Sequence, residues 1–245
     1  MLNKDINLLI RIMLFSLFIL LTNTTLVNAQ TEYDTLYNIT DIVGKYEHGG
    51  KGYQAVSKDS YGGYSYGKWQ ISTKRDKGKP STFDFFLKYT KTHNFVFAKI
   101  LKKHGGYEAA FAGKKDFIKT WKIIANNPDF QKVYDNFIID TQIIPVYVRM
   151  NSSNNKKMIK LSEWGLEDKS IEAAINSTII QHGQGGGYKI LYDVMNLYNP
   201  KSKKIFLKCL YEYRKKKFPK YKTRYAAEYK DLYNFLVSGN SKLTS

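Results

Sequence analysis

Two carboxylates stand twelve positions apart near the start of the chain's informative region: Glu47, where an amphipathic pattern gives out, and Asp59, inside a Gly/Tyr/Ser loop whose other charges are lysines. Cleavage of a glycosidic bond needs such a pair. One acid holds a proton for the leaving oxygen, and the other stays ionised to activate water or to stabilise positive charge on the sugar. The loop closes with Tyr66-Gly67-Lys68-Trp69-Gln70, where glycine permits close backbone approach and the aromatic and amide groups suit a sugar. Ser57, Ser65, Tyr66, Gly67 and Gln70 are candidates to line a cleft, because hydroxyls and an amide can orient a substrate covered in hydroxyls and acetamides. Asp59 has a second reading as a turn residue, since Lys-Asp-Ser-Tyr-Gly-Gly is good turn chemistry. Trp69 reads as core before it reads as a sugar platform.

The elements that must position these groups are mostly helical. Leu36, Ile39, Val43 and Tyr46 recur at helical spacing, with Asp34 as N-cap and Gly49-Gly50 as the stop. Glu47 therefore falls on the last turn of a first helix. Burial against that helix's apolar face, and the negative end of the helix dipole, would both raise its pKa and keep it an acid. Residues 50–80 carry no long helical period, and Tyr64-Ser65-Tyr66 and Trp69-Gln70-Ile71 read as short strands. Ser81 caps a helix expected to run to about residue 103. Shorter helical stretches follow at 107–112 and 115–125, then a helix over 129–150 that opens on Asn127-Pro128 and must kink or end at Pro145. Residues 151–157 read as a polar loop. Helices are expected over 170–181, from the glycine cluster Gly183-Gln184-Gly185-Gly186-Gly187 to about 197, and over 202–217 and 223–237.

Several elements around the acids, in order, form a pattern: Glu47-His48-Gly49-Gly50, Ala55-Val56-Ser57, Asp59, Gly62-Gly63-Tyr64-Ser65-Tyr66-Gly67 and Gln70-Ile71-Ser72. It resembles the active-site pattern of the lysozyme-like superfamily, most closely that of chitosanase-like muramidase domains such as those fused to phage tail and type VI secretion spike proteins. Soluble lytic transglycosylases share a looser version. The sequence departs at His48, where serine is usual, and the interval from Glu47 to Asp59 is a few residues short. The resemblance implies an α+β, predominantly helical, lysozyme-like fold with a short β-containing active-site loop. It also places Asp59 as the second carboxylate, and a Gln181-His182-Gly183 element near the cleft. His182 at a helix C-terminus is equally a good helix end.

Lys4 and Arg11 precede an apolar run over residues 13–21, and Val27-Asn28-Ala29 before Gln30 is a small-residue cleavage pattern. Residues 1–29 thus read as a signal peptide and 30–245 as one catalytic domain, secreted or periplasmic. The formal charge is +18, which favours polyanionic surfaces such as the cell envelope. Enrichment in Lys, Asn, Ile and Tyr is also what an A/T-rich genome produces. The scattered lysines and the export pattern speak against nucleic acid. Cys209 is the single cysteine, so no internal disulfide forms. No His/Asp/Glu spacing resembles a zinc or calcium site, and no cofactor is implied.

The leading expectation is an exported muramidase acting on peptidoglycan or a related amino-sugar polymer. Glu47 would protonate the bridging oxygen while Asp59 activates water from the opposite face. A lytic transglycosylase using Glu47 alone, a chitosanase, and a non-catalytic wall-binding protein are the alternatives. The charge ranks chitosanase lower, since a polycationic substrate would be repelled.

Overall fold

The computed structural model describes residues 46, 51–59 and 62–239, all within the unit Asp41–Ser245. The signal-peptide reading, the first helix apart from Tyr46, and Glu47 lie outside the described residues. The architecture is predominantly helical with one small antiparallel sheet. A 3-10 turn over Gly52–Gln54 leads into β1 (Val56–Lys58), β2 (Tyr64–Tyr66) and β3 (Ile71–Ser72), in that order across the sheet. Then come α1 (Thr82–His93), α2 (Phe95–Lys103), α3 (Gly106–Phe111), α4 (Lys115–Ile124) and α5 (Pro128–Ile138). A π-helical segment, Ile139–Ile143, joins α5 to α6 (Ile144–Asn151). The chain closes with α7 (Lys156–Glu167), α8 (Lys169–Leu197), α9 (Lys203–Lys217), a 3-10 turn at Pro219–Tyr221 and α10 (Lys222–Val237). Among the described residues no helix is long and apolar enough to cross a membrane.

The caps explain most of the boundaries. Ser81 and Asp84 form a reciprocal capping box on α1, and Asn127 accepts from the amides of Asp129 and Phe130 ahead of Pro128 on α5. The single helix expected over 81–103 is two helices. Asn94 takes an extended backbone (φ −156°, ψ 90°) and its side chain caps α2 at Phe97 N. One polar expectation also shifts. Residues 156–167, outside any expected helix, form α7, started by Asn155 and burying Met158, Leu161 and Trp164. The glycine cluster does end a helical stretch as expected: Gly183 takes a non-helical backbone (φ 70°, ψ 172°), and α8 is two helices joined across that kink.

The helix expected over 129–150 is interrupted as Pro145 requires, and the π segment absorbs the break. Proline at 145 has no N–H to give the carbonyl four residues back, that of Thr141. That carbonyl instead accepts from Gln184 Nε2 of α8 at 2.5 Å. A proline defect on one helix is thus repaired by the glycine-rich bend of another.

One body of core is aromatic: Tyr66, Phe83, Phe86, Phe117, Trp121, Phe130, Tyr134 and Phe137 are fully buried, with neighbouring rings 5–6 Å apart in mostly edge or tilted geometry. It backs the sheet. The other is aliphatic, built from Leu161, Ile171, Ile175, Ile179, Leu191, Val194, Leu207, Leu210 and Leu232 around α8.

Gly67, between β2 and β3, has φ +76°, and a Cβ there would stand 2.5 Å from the Tyr134 ring. Gly67→Ala should therefore combine backbone strain with a clash against a buried ring, costing about 2 kcal/mol or more and lowering Tm by roughly 5 °C. Gly62, at φ +96° with nothing within 4 Å of its Cβ position, is the comparison. Thermal unfolding in which Gly67→Ala is no worse than Gly62→Ala would rule out the Tyr134 contact as the reason for glycine.

Candidate active site

The antiparallel register pairs Ser57 with Ser65 and Ser65 with Ser72, while Val56, Tyr66 and Ile71 pair alongside. Because strand side chains alternate, the three serines form one row across one face and Val56, Tyr66 and Ile71 occupy the face toward the aromatic core. Asp59 follows β1 with the parity of Ser57. Its Oδ2 accepts from Ser65 Oγ at 2.9 Å and Ser72 Oγ at 3.1 Å. Its backbone closes the β1–β2 connection, N–H to Gly63 O and C=O from Gly62 N, both 3.1 Å. Asp59 is half-buried, and its Oδ1 has no hydrogen-bond partner among the described residues. The arrangement is a carboxylate with one oxygen held in place by two hydroxyls of the sheet.

Gln70 closes the same row. Ser57 Oγ donates to Gln70 Oε1, and Gln70 Nε2 donates to Gly67 O at 2.9 Å. Gln70 itself has φ +49°, uncommon for a residue with a side chain, so the turn is held in a costly conformation by its neighbours. Ser57, Ser65, Gly67 and Gln70 are thus brought together with Asp59 in one hairpin system. Tyr66 is not on that face. Its ring is buried in the core and its hydroxyl donates to Ala110 O at 2.8 Å, with burial pushing its pKa up.

The support beneath the turn comes from α5. Tyr134 Oη donates to Tyr66 O at 2.8 Å and accepts from Trp69 N at 3.1 Å. The next residue, Asp135, is buried and accepts from Trp69 Nε1 at 2.7 Å and from Tyr53 Oη. Lys68, only 5% exposed, lays its ammonium over the Tyr53 and Trp69 rings at 5.2 and 5.1 Å. Sequence reasoning passed over Tyr134 and Asp135, and met Ser72 only as a member of the pattern and not as a cleft residue. The available signal for Asp135 was its place three and four residues before the apolar Ile138 and Ile139, which share its face of the helix. An acid on a core face needs buried donors.

Residues 39–234 match the model of the family described as type VI secretion system spike protein VgrG3-like, C-terminal. The chain belongs to this family. The fold of this VgrG3-like domain is the lysozyme-like one of chitosanases. A GH46 chitosanase from Gynuella sunshinyii in complex with chitotetraose superposes with a TM-score of 0.55 at 15% identity, over 86% of this chain and 91% of that one. Chitosanase OU01 with substrate gives 0.58 at 14% identity (85% and 89%), and the native chitosanase of Bacillus subtilis MY002 gives 0.57 at 18% (86% and 92%). No curated protein matches the sequence.

In the VgrG3-like domain Gln181 and His182 sit among the C-terminal helices, ahead of the Gly183 bend. Gln181 Oε1 accepts from Arg214 Nη2 at 2.7 Å and Tyr225 Oη at 2.9 Å. Arg214 is fully buried, with its guanidinium 4.3 Å from the Tyr225 ring and Nη1 3.9 Å from the buried Glu228. Tyr211 Oη donates to the same Glu228 at 2.9 Å. The imidazole of His182 stacks on Phe218, ring centres 4.3 Å apart, with Nε2 3.5 Å from Tyr225 Oη. No described hydrogen bond joins His182 to the serine row. Tyr46, the residue before Glu47, donates to Asp231 of α10 at 2.5 Å. Among the described residues no cluster of His, Cys, Asp or Glu could hold a metal ion.

Burial lowers the pKa of His182 from 6.5 to about 4, assisted by Arg214, Arg224 and Lys217. The folded state thus keeps the imidazole neutral while the unfolded chain takes up a proton. Stability should fall as pH drops from about 6.5 toward 4 and change little from this source above 6.5. His182→Gln should flatten that part of the profile. Urea midpoints at pH 7 and 4.5 that shift equally in both proteins would show that His182 does not carry the dependence.

Proposed function

We propose that the chain is an exported glycoside hydrolase that cuts the glycan strands of peptidoglycan, with Glu47 as general acid and Asp59 as the base that activates water. The observation that carries this reading is the Asp59 carboxylate, fixed through Oδ2 by Ser65 and Ser72 on the serine row. Ser57 and Gln70 continue the row with hydroxyl and amide groups suited to sugar hydroxyls and acetamides. The fold supports glycosidase chemistry, since its structural neighbours are chitosanases, one of them crystallised on chitotetraose. Tyr46, tied to Asp231, anchors the chain immediately before the proposed acid. Residues 1–29 supply the route of export in this reading, and the net charge of +17 left once Lys4, Asp5 and Arg11 are removed with them holds the enzyme on the anionic wall.

The second reading is a chitosanase, favoured by those same neighbours. The charge opposes it, because a chain of +18 repels a polymer of glucosammonium units. Purified peptidoglycan and chitosan offered side by side, with products resolved by mass spectrometry, separate the two. Cleavage of chitosan alone would establish the chitosanase, and binding without cleavage of either would establish a wall-binding protein.

Within the hydrolase reading, Glu47→Gln should lower peptidoglycan cleavage by ~10²-fold or more, as expected when a general acid is lost. Asp59→Asn should lose nearly as much, and products of the wild-type chain should carry ordinary reducing ends. Inversion requires room for water, roughly 6.5–9.5 Å between the two carboxyl groups. Anhydro-sugar ends produced at normal rate by Asp59→Asn would instead make the chain a lytic transglycosylase.

A further inference from the structure

From Phe85 to Tyr107 the sequence contains no acid, while Lys88, Lys91, Lys99, Lys102 and Lys103 all lie in that interval. It folds into α1 and α2, which turn on the single residue Asn94. The turn puts two large apolar side chains at its tip. Phe95 is 66% exposed and Val96 64%, although Phe97, two residues on, is buried. Core packing does not explain the first two.

The tip borders an apolar groove of about 460 Å³ lined by Leu87, Phe95, Ala98 and Tyr107, with Lys91, Lys99 and Lys102 among its walls. The positions agree with helical spacing, because Phe95, Ala98, Lys99 and Lys102 share one face of α2 and Leu87 and Lys91 one face of α1. The nearest preceding acid, Asp84, is engaged. Arg75 pairs with it in bidentate fashion at 2.7 and 2.9 Å and stacks on the Tyr107 ring at 3.6 Å. Of the acids on adjoining elements, Glu108 follows Tyr107 at the far end of the groove from the Phe95 tip and acts on Arg75, while Asp129 lines a separate groove with Tyr89 and His93, Asp140 accepts from Tyr89, and Asp116 from His104.

We propose that the α1–α2 corner is a docking surface for an anionic lipid bilayer, with Phe95 and Val96 entering the headgroup–acyl boundary and Lys91, Lys99 and Lys102 meeting lipid phosphates. A protruding apolar tip ringed by flexible cations is the form such a surface takes. The apolar side chains enter the interface while the lysine stems cover apolar surface and keep their ammonium groups at the phosphates. The charge complementarity selects the partner. A neutral bilayer would gain only the contribution of two side chains, whereas an anionic one adds attraction from each lysine near its surface.

The test uses the full chain with Cys209→Ser and a single new cysteine, Phe95→Cys, carrying an environment-sensitive fluorophore. A second protein carries the label at Ile123→Cys, an exposed apolar position beside Lys119 and Lys122 on α4. Vesicles are equimolar phosphatidylglycerol and phosphatidylcholine, or phosphatidylcholine alone, with a spin-labelled lipid as quencher. The label at 95 should shift to the blue and be quenched by the anionic vesicles, with the label at 123 remaining in water. Lys91→Glu/Lys99→Glu/Lys102→Glu should weaken the response at 95 by about 100-fold, and added salt should weaken it in the wild-type background.

The label reports the depth of position 95 itself, so attachment through the apolar run near the N-terminus leaves it silent. A silent label at 95 on anionic vesicles overturns the proposal. So does an equal response on phosphatidylcholine alone, an equal response at 123, or a shift that appears without lipid and grows with protein concentration, which would make the corner a contact between copies.

Discussion

The hydroxyl of Tyr134 and the carboxylate of Asp135 fasten a sheet of three short strands with five pairings to α5, the helix it packs against. Adjacent residues of α5 bind opposite parts of one turn. Tyr134 bridges the carbonyl of Tyr66 and the amide of Trp69, and Asp135 takes the indole N–H of Trp69 and the phenol of Tyr53. The second pair matters most, since Tyr53 precedes β1 and Trp69 precedes β3. One buried carboxylate thus ties the entry of the sheet and its β2–β3 turn to one helix. Removing it would leave buried donors unpaired, a heavier loss than an exposed contact. With the turn held, Gln70 can keep its positive φ and complete the serine row.

The two faces of the sheet divide the labour. Val56, Tyr66 and Ile71 commit one face to aromatic packing, so the other is free to carry hydroxyls and Asp59 without loss of stability. Burial and chemistry are separated by strand alternation alone. The same separation appears at the α1–α2 corner. Phe83, Phe86 and Phe97 enter the core, whereas Phe85, Phe95 and Val96 face outward among lysines.

Much of this was legible in the residues. The helical content, the capping by Ser81 and Asn127, and the short β-containing loop follow from capping and periodicity. The family pattern was legible from Glu47 to Ser72. What stayed hidden was long-range or compensated locally. Asn94 breaks a helix because its side chain caps the next one, which periodicity does not register. Residues 156–167 look polar because exposed lysines surround the buried Met158, Leu161 and Trp164. Tyr66, read as a cleft residue, belongs to the core because register, not composition, decides which face a strand residue occupies. Asp135 bonds to partners 66 and 82 positions away, and local sequence carries no record of such a partner.

The aromatic core holds Asp59 through the sheet, while the residue before Glu47 is bonded to α10, part of the aliphatic body. Whatever separates position 46 from Asp59 therefore depends on how the two bodies of core are joined. The join runs through α5, the π segment and α6, and its regularity is interrupted at Pro145. Gln184 repairs that interruption from the bend of α8, next to Gly183, where a residue with a side chain would resist φ +70°. Proline at one position and glycine at another thus act together. The first frees a carbonyl, and the second turns the helix so that an amide reaches it. A defect in each helix becomes a contact between them.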